Sequence, residues 1–383
     1  MQNEDSIDRQ IVNQMIVKLA DNIISPLGVT TSENYQAVKA GRSALCLHEG
    51  VEGVPTPFYA SILDESVLTV EGDYTKFERM CIQSVETALA QCDVDVASDR
   101  VLFIISTTKG NVSLLADGEE HQNILLGVAA QKIANHFSNR RTPMVVSNAC
   151  ISGVCAQIEA MRALSLGLCD YAVVVGADVQ SPFIVTGFQS LKAVSAEACR
   201  PFDQERKGLN LGEAAATIIY GTAERAQDRW QMVCGAVRND ANHISGPSRT
   251  GEGSYLALRS VMQNADPSDI AFISAHGTAT LYNDEMESIA ISRAGLIDTP
   301  VGSLKGYYGH TMGAAGVLET LLSMSAVDDH TVIGTRGFER LGVSCPVAVT
   351  SANRTTDRRS FIKLISGFGG CNAAARFKKG GEE

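Results

Sequence analysis

The chain has a single tryptophan, no block of like charge, no low-complexity tract and no apolar run of membrane-spanning length. A helical span needs ~20 consecutive apolar residues. The longest run here, such as Tyr171 to Ala177, is strand-sized, so membrane insertion is not expected. The first ten residues, MQNEDSIDRQ, are polar and acidic, unlike a secretory signal or a transit peptide, which points to a cytoplasmic protein. There is no excess of basic charge either: 32 Lys and Arg against 43 Asp and Glu leave a net charge of −11. That balance argues against nucleic acid as a partner. None of the ten cysteines forms a CxxC pair, and a chain this long and apolar needs no disulfide frame, so reduced thiols are expected. Walker A, GxSxG and a GxGxxG opening a helix are all missing, which removes support for P-loop, esterase and dinucleotide readings.

What is present is a foldable composition: 45% hydrophobic and 20% charged over 383 residues. At ~150 residues per domain, this length implies two or three domain-sized units or one large intertwined core. Residues 1–14 read as a loose arm. From about Arg100 the pattern becomes strand, loop, helix. Val101 to Ile105 is rich in β-formers, and Ile124 to Phe137 carries apolar residues at helical spacing. Met144 to Val146 opens a strand that ends at Asn148-Ala149-Cys150. A helix follows to about Gly167, then the apolar run Tyr171 to Val175 ends in Gly-Ala-Asp. Continuous apolar strands between helices suggest sheets covered on both faces.

The second half repeats this order. Ile270 to Ser274 resembles the Val101 strand. Pro300 to Leu304 with a helix from about Gly313 to Val327 resembles the strand–Cys150–helix unit. Phe361 to Ile365 followed by Gly367-Phe368-Gly369-Gly370 resembles the Tyr171 strand and its end. Three pairings in one order suggest duplication of a β-α-β unit, with halves at approximately 15–225 and 226–380 inside a single body, 1–383.

Three strand-end loops carry candidate chemistry. Cys150, in SNACISG, lies between a strand and a helix among small residues that leave room for a substrate. A free thiol has a pKa near ~8.5. A helix N-terminus favours its anion by ~0.3–1 kcal/mol, under one pKa unit, so a nearby His must supply the remainder of any activation. His276, in SAHGTATLYND, follows a buried strand, where α/β proteins place sites. His310, in SLKGYYGHTMGAAG, also joins strand to helix, with Lys305 five residues earlier. One thiol and two imidazoles suit a thioester-forming carbon–carbon condensation, since neutral imidazoles can donate to a developing oxyanion or enolate. A Cys/His hydrolase would leave one His surplus. A zinc site of Cys and two His is the other option, without a close ligand pair to anchor it.

The motifs SNACISG, CRPFDQERKGLNLGE, SAHGTATLYNDEMES, SLKGYYGHTMGAAGVLE and GFGGCN occur in the order found in β-ketoacyl-acyl carrier protein synthases. The chain resembles the elongating Cys-His-His branch of that family, within the thiolase superfamily, from roughly residue 100 to the end. The segment ISPLGVTTSENYQAVKAGRSAL also resembles the family's opening. The resemblance implies an α/β thiolase-like duplicated fold of α-β-α-β-α layers. It implies that Cys150 accepts the acyl group, that His276 and His310 bind the malonyl thioester and stabilise its enolate, and that Lys305 supports them, with Glu319 behind it. It further implies an oxyanion hole from the backbone N–H groups of Cys150 and Phe368, and a gate at Gly367, Phe368 and Gly369. Thr278 and Thr280 would contact the pantetheine arm. Arg200, Pro201, Phe202, Asp203, Arg206, Gly208, Gly212 and Glu213 match a largely structural segment.

The implied reaction is ping-pong decarboxylative Claisen condensation with malonyl-acyl carrier protein, without metal or redox cofactor, in fatty-acid, polyene or polyketide biosynthesis. The implied partners are an acyl carrier protein and a second copy in a homodimer, or a ketosynthase-like chain in a heterodimer. The alternative is a non-catalytic chain-length partner, against which the presence of Cys150, His276, His310 and Lys305 counts. Since acyl carrier proteins are acidic, this acidic chain would have to gather positive charge at its mouth. Arg140, Arg141, Arg162, Lys207, Arg354, Arg358 and Arg359 are the candidates.

Overall fold

The computed structural model describes residues 14–118 and 121–381. The expected arm, 1–14, lies outside the described residues except for residue 14. Eleven strands form one continuous sheet: β1 (Met15–Ile24), β2 (Val101–Ser106), β3 (Met144–Val146), β4 (Tyr171–Asp178), β5 (Ala214–Ala223), β6 (Trp230–Asn239), β7 (Ile270–Ser274), β8 (Pro300–Gly302), β9 (Ala348–Val349), β10 (Ser360–Gly367) and β11 (Cys371–Lys379). Their spatial order is β9-β8-β7-β10-β11-β6-β1-β5-β4-β2-β3.

This order is a duplication written in topology. Strands β3-β2-β4-β5-β1 form one leaf, and β8-β7-β10-β11-β6 repeat the sequence in mirror order, with β9 added at the far edge. The pairing directions match as well: β2 is parallel to β3 and β4, as β7 is to β8 and β10. The strands β5 and β11 are antiparallel to their neighbours in both leaves. The leaves join at a single bridge, Val17 to Gln231.

Helices fill three layers around the leaves. The helix α1 (Lys76–Leu89) begins in a capping box, Thr75 with Glu78, and buries Phe77, Met80, Cys81 and Val85 against the first leaf. The helix α2 (Leu126–His136) lies beside it. On the far side α4 (Glu252–Val261) and α5 (Leu281–Arg293) cover the second leaf. Between the leaves run α3 (Ser152–Ser165) and α6 (Ala315–Asp328), which contact strands of both. Nearly every residue of α6 is buried, as an apolar helix between two sheets requires.

The two central helices touch through backbone. A Cβ added at Gly316 would lie 2.5 Å from the Val154 backbone nitrogen, and one at Gly153 would lie 2.9 Å from the Gly313 carbonyl oxygen. Gly176 in β4 faces that same carbonyl at 2.9 Å. No side chain fits at this crossing. The described residues contain no helix long and apolar enough to cross a membrane, and all ten cysteines are free.

Gly316→Val is therefore expected to destabilise the fold by ~3 kcal/mol or more, or to abolish soluble expression. Gly127→Ala, on α2 where an added Cβ meets nothing within 4 Å, serves as the control and should keep or raise the thermal midpoint. Equal midpoints for Gly316→Val and wild type would contradict the crossing.

Candidate active site

Cys150 lies just beyond the end of β3 and two residues before the start of α3. The preceding Ala149 has φ +45°, a left-handed conformation that is strained for a side chain with a Cβ. The Ser152 hydroxyl fixes this turn, donating to the Ala149 carbonyl at 2.6 Å and accepting from the Asn148 N–H at 2.7 Å. Cys150 is 7% exposed. The end of β10 lies against it: a Cβ at Gly367 would sit 3.1 Å from the Cys150 nitrogen and 2.9 Å from the Cys371 sulfur.

His276 follows β7. Its backbone N–H and that of Gly277 each donate to the buried Glu287 carboxylate at 2.7 Å, and the Asn283 amide donates to it at 2.8 Å. His310 is held by its main chain in the GLNLGE segment. Its N–H donates to the Asn210 carbonyl at 2.6 Å, and its carbonyl accepts from the Gly212 N–H at 3.1 Å. Gly212 leaves no space there, since an added Cβ would fall 1.9 Å from the Tyr308 carbonyl oxygen. The two rings meet edge to face, 5.0 Å apart and inclined at 82°. The Cys150 sulfur and one nitrogen from each ring all lie within 4.8 Å of one another. His310 Nδ1 accepts from the Met312 N–H at 3.3 Å, which places the proton of the neutral ring on Nε2. That nitrogen and His276 Nδ1 are buried without a hydrogen-bond partner among the described residues. Buried unpaired polar atoms such as these mark places where a ligand atom completes the bonding.

Burial dominates the electrostatics. It pushes the Cys150 thiol up to about 12, with Cys371 adding to the effect and Lys305 opposing it. The helix N-terminus, worth ~0.3–1 kcal/mol, is outweighed, so the modest enrichment in thiolate expected from its position is overturned. Burial also holds both imidazoles well below the ordinary range, with Lys305 the next cause for each and Lys363 contributing. The resting site is a neutral thiol facing two neutral imidazoles. Behind them the buried Glu319 carboxylate pairs with Lys305 at 2.7 Å and with Lys363 at 2.6 Å. Burial works to raise the Glu319 carboxyl, and the two ammonium groups overcome it and hold it low. The Cys-His-His spacing could also bracket a metal ion; the protonated thiol and the two ammonium groups oppose a cation there.

Two cavities meet at Cys150. One, of about 500 Å³, runs from Cys150, His276 and His310 past Thr278 and Thr280 to Lys192 and Lys207. The threonine hydroxyls lie 2.9 Å apart, and Ala279 between them takes φ +63°. The other, of about 680 Å³, is lined by Thr108, Phe183, Ile184 and Met312. Phe368 lines both, its ring 5.7 Å from that of Phe188. The glycines after it, Gly369 and Gly370, have φ +88° and +74°, a conformation open to residues without a side chain.

The structure thus gathers Cys150, His276, His310, Thr278, Thr280, Gly367 and Phe368 around one cavity, with Lys305 and Glu319 buried behind it. Of the basic residues suggested for the mouth, only Lys207 lines it. Arg162 pairs with Glu159, Arg359 with Asp228, and Arg358 donates to the Ile270 carbonyl. Four residues near the site carried no role in the sequence reading. Asp178, at the end of β4, accepts from the N–H groups of Gly313 and Thr108 and from the Thr107 hydroxyl, tying three loops together. Its signal was an acid closing an apolar strand. Glu287 was visible as part of SAHGTATLYNDEMES. Lys363 was a lone charge inside the apolar run FIKLI. Cys371 was visible as part of GFGGCN.

Residues 72–226 match the model of the beta-ketoacyl synthase N-terminal domain, and residues 232–339 match that of its C-terminal domain. The chain is 29% identical over 286 residues to the 3-oxoacyl-[acyl-carrier-protein] synthase homolog of Saccharomyces cerevisiae, covering 67% of this chain and 63% of that one. It is 29% identical over 284 residues to nodulation protein E of Rhizobium leguminosarum bv. trifolii, covering 70% of each. The matched stretch thus spans 63% and 70% of these relatives' own lengths. Among solved structures, a chain from the complex of the ketosynthase ApeO with its chain length factor ApeC, from Xenorhabdus doucetiae, superposes with a TM-score of 0.86 at 24% identity, covering 99% of this chain and 100% of that one. A beta-ketoacyl synthase from Burkholderia phymatum gives 0.86 at 23%, covering 96% and 99%. The fold is that of these ketosynthases.

A thiol held in its protonated form gives a distinct pH signature. Iodoacetamide labelling of Cys150, followed by peptide mass spectrometry, should accelerate about tenfold per pH unit from about pH 7 to 10 without a plateau. A plateau beginning below about pH 8 would show a thiolate–imidazolium pair instead.

Proposed function

Since the chain belongs to the β-ketoacyl synthase family, we propose that it is a β-ketoacyl-acyl carrier protein synthase. It joins an acyl group carried on Cys150 to malonyl-acyl carrier protein, with loss of CO₂. The observation that carries this reading is the neutral thiol set against two neutral imidazoles, with the His310 proton on Nε2 and no partner for that atom among the described residues.

In the first half-reaction the Cys150 sulfur attacks the acyl thioester of a carrier. Its proton passes through a facing imidazole to the departing pantetheine thiolate. The oxyanion accepts hydrogen bonds from the backbone N–H groups of Cys150 and Phe368. In the second, the malonyl thioester oxygen accepts from His276 and His310. The carbon–carbon bond to the carboxylate breaks, and its electron pair enters the enolate. The enolate attacks the Cys150 thioester, the sulfur leaves as thiolate, and it takes up one proton from solvent through a facing imidazole. Imidazoles kept neutral by burial donate without themselves carrying charge, and no step calls for a metal or a redox cofactor.

The cavity with Thr278, Thr280 and Lys207 takes the pantetheine arm, and the one lined by Phe183, Ile184 and Met312 takes the acyl chain. Phe368, between them on a glycine-flanked loop, gates entry of the second substrate. The carrier docks at the rim that presents Lys192 and Lys207. Strand β3 closes the sheet with an unpaired edge, the position at which a second copy, or a related chain, adds its own strand. A purely structural chain-length partner would not need Cys150, His276, His310 and Lys305 brought together.

Two substitutions separate the half-reactions. Cys150→Ala should lose acyl loading, read as an intact-mass increment, and reduce condensation by ~10³-fold or more. His310→Ala should still load acyl while condensation falls by ~10²-fold or more. Wild-type condensation in either variant would remove that residue from the mechanism.

A further inference from the structure

Lys363 is a buried charge of the site to which the reaction described above gives no role. It lies on β10 between Ile362 and Leu364, all three fully buried. Its Cα is paired in register with Ser274, the last residue of β7. The ammonium group donates to the carbonyls of Ser274 at 2.9 Å, Ala275 at 3.1 Å and Leu364 at 2.9 Å, and it meets the Glu319 carboxylate at 2.6 Å. A buried ammonium is costly by several kcal/mol unless its partners are in place, so this set of acceptors fixes it tightly. Two of the acceptors, Ser274 and Ala275, are the residues immediately before His276.

The group therefore reaches the histidine pair in two ways. Mechanically, it ties the end of β7 to β10 at the point where His276 departs. Electrostatically, it makes a second cation beside one shared anion, Glu319. The charged and titratable groups facing the pair are Lys305 and Glu319 from the loop and helix around His310, Lys363 from β10, Glu287 and Asp284 from α5, and Cys150 with Asp178 from the first half. Burial pushes the carboxyl of Glu287, which accepts from the His276 N–H, up to about 7, with Asp284 reinforcing it. Lys305 and Lys363 act on both rings and hold them low.

We propose that Lys363 is a positioning residue for His276 and His310, holding His276 in place through the Ser274 and Ala275 carbonyls and, with Lys305, keeping both rings uncharged so that they can donate to the substrate. The inference rests on the reading of these rings as hydrogen-bond donors. It can be tested without any activity, so its failure and the failure of that reading are distinguishable.

The test is ¹⁵N NMR of the full chain labelled at histidine, with His276 and His310 assigned from the signals lost in His276→Gln and His310→Gln. In wild type both rings should stay neutral down to about pH 5. In Lys363→Met at least one should protonate between about pH 5 and 7. Lys363→Arg keeps the charge but not the compact three-carbonyl geometry. Its rings should stay neutral while malonyl-carrier decarboxylation falls about tenfold, a larger loss than that of acyl loading on Cys150. Removing a cation raises the imidazole values, so the acid limb of the Lys363→Met decarboxylation profile should move to higher pH by about one unit. Ring titrations in Lys363→Met that superimpose on wild type would overturn the proposal. Protonation of the rings in Lys363→Arg would overturn it too, and that variant carries the test should Lys363→Met not fold. Equal losses of loading and decarboxylation with an unmoved acid limb would also overturn it, since that is what a merely structural lysine gives. A wild type that does not decarboxylate would count against the proposed function, and the titrations would still decide the role of Lys363.

Discussion

The backbone contact between the two central helices is the constraint from which the site follows. Gly153 on α3 and Gly316 on α6 leave no room for a side chain at their crossing, and Gly176 on β4 and Gly313 close in from the sides. Helices pressed together this closely fix the relative height of their N-terminal loops. One loop presents Cys150 and the other presents His310. Because the two leaves repeat one topology in mirror order, the loop after β7 arrives at the same place with His276. Three residues far apart in sequence thus converge through the packing of small residues. Strain collects at the same place, in the positive φ of Ala149, Ala279 and Met312, each next to a loop that faces the cavity.

Burial then sets the chemistry. Burial withdraws these groups from bulk water, so the thiol stays protonated and the imidazoles stay neutral. Such a site acts by hydrogen-bond donation to developing negative charge rather than by a preformed ion pair. The same burial makes the interior charges expensive, and the structure answers with one carboxylate, Glu319, between two ammonium groups. The arrangement leaves a positive surplus of the Glu319 cluster behind the rings, which disfavours imidazolium and, under the proposed function, would stabilise an enolate.

Much of this was legible in the sequence where a residue's role is local. The strands of the duplicated unit announced themselves as apolar runs closed by Ser, Thr, Asn, Gly or Asp. The Cys-His-His set stood out because each member sits in a polar strand-end loop. The unread part depends on distant neighbours. FIKLI reads as an apolar strand with one stray charge, because the acceptors that fix Lys363 come from β7 and α6. Asp178 closes its strand like many acids, and only the folded chain shows it receiving N–H groups from Thr108 and Gly313. The thiol was misjudged in direction for the same reason. A helix N-terminus can be inferred from neighbouring residues, whereas burial by β10 and Cys371 cannot.

The central claim is that this buried, uncharged cluster performs decarboxylative condensation. The most direct measurement is a single turnover of the wild-type chain, pre-loaded with acyl on Cys150 and mixed with malonyl-acyl carrier protein labelled with ¹³C at the free carboxylate. The account predicts a β-ketoacyl carrier two carbons longer than the loaded acyl group, one labelled CO₂ per acyl group consumed, and a Cys150 returned to its unmodified mass. Acyl-Cys150 that persists, with no labelled CO₂ released, would contradict it.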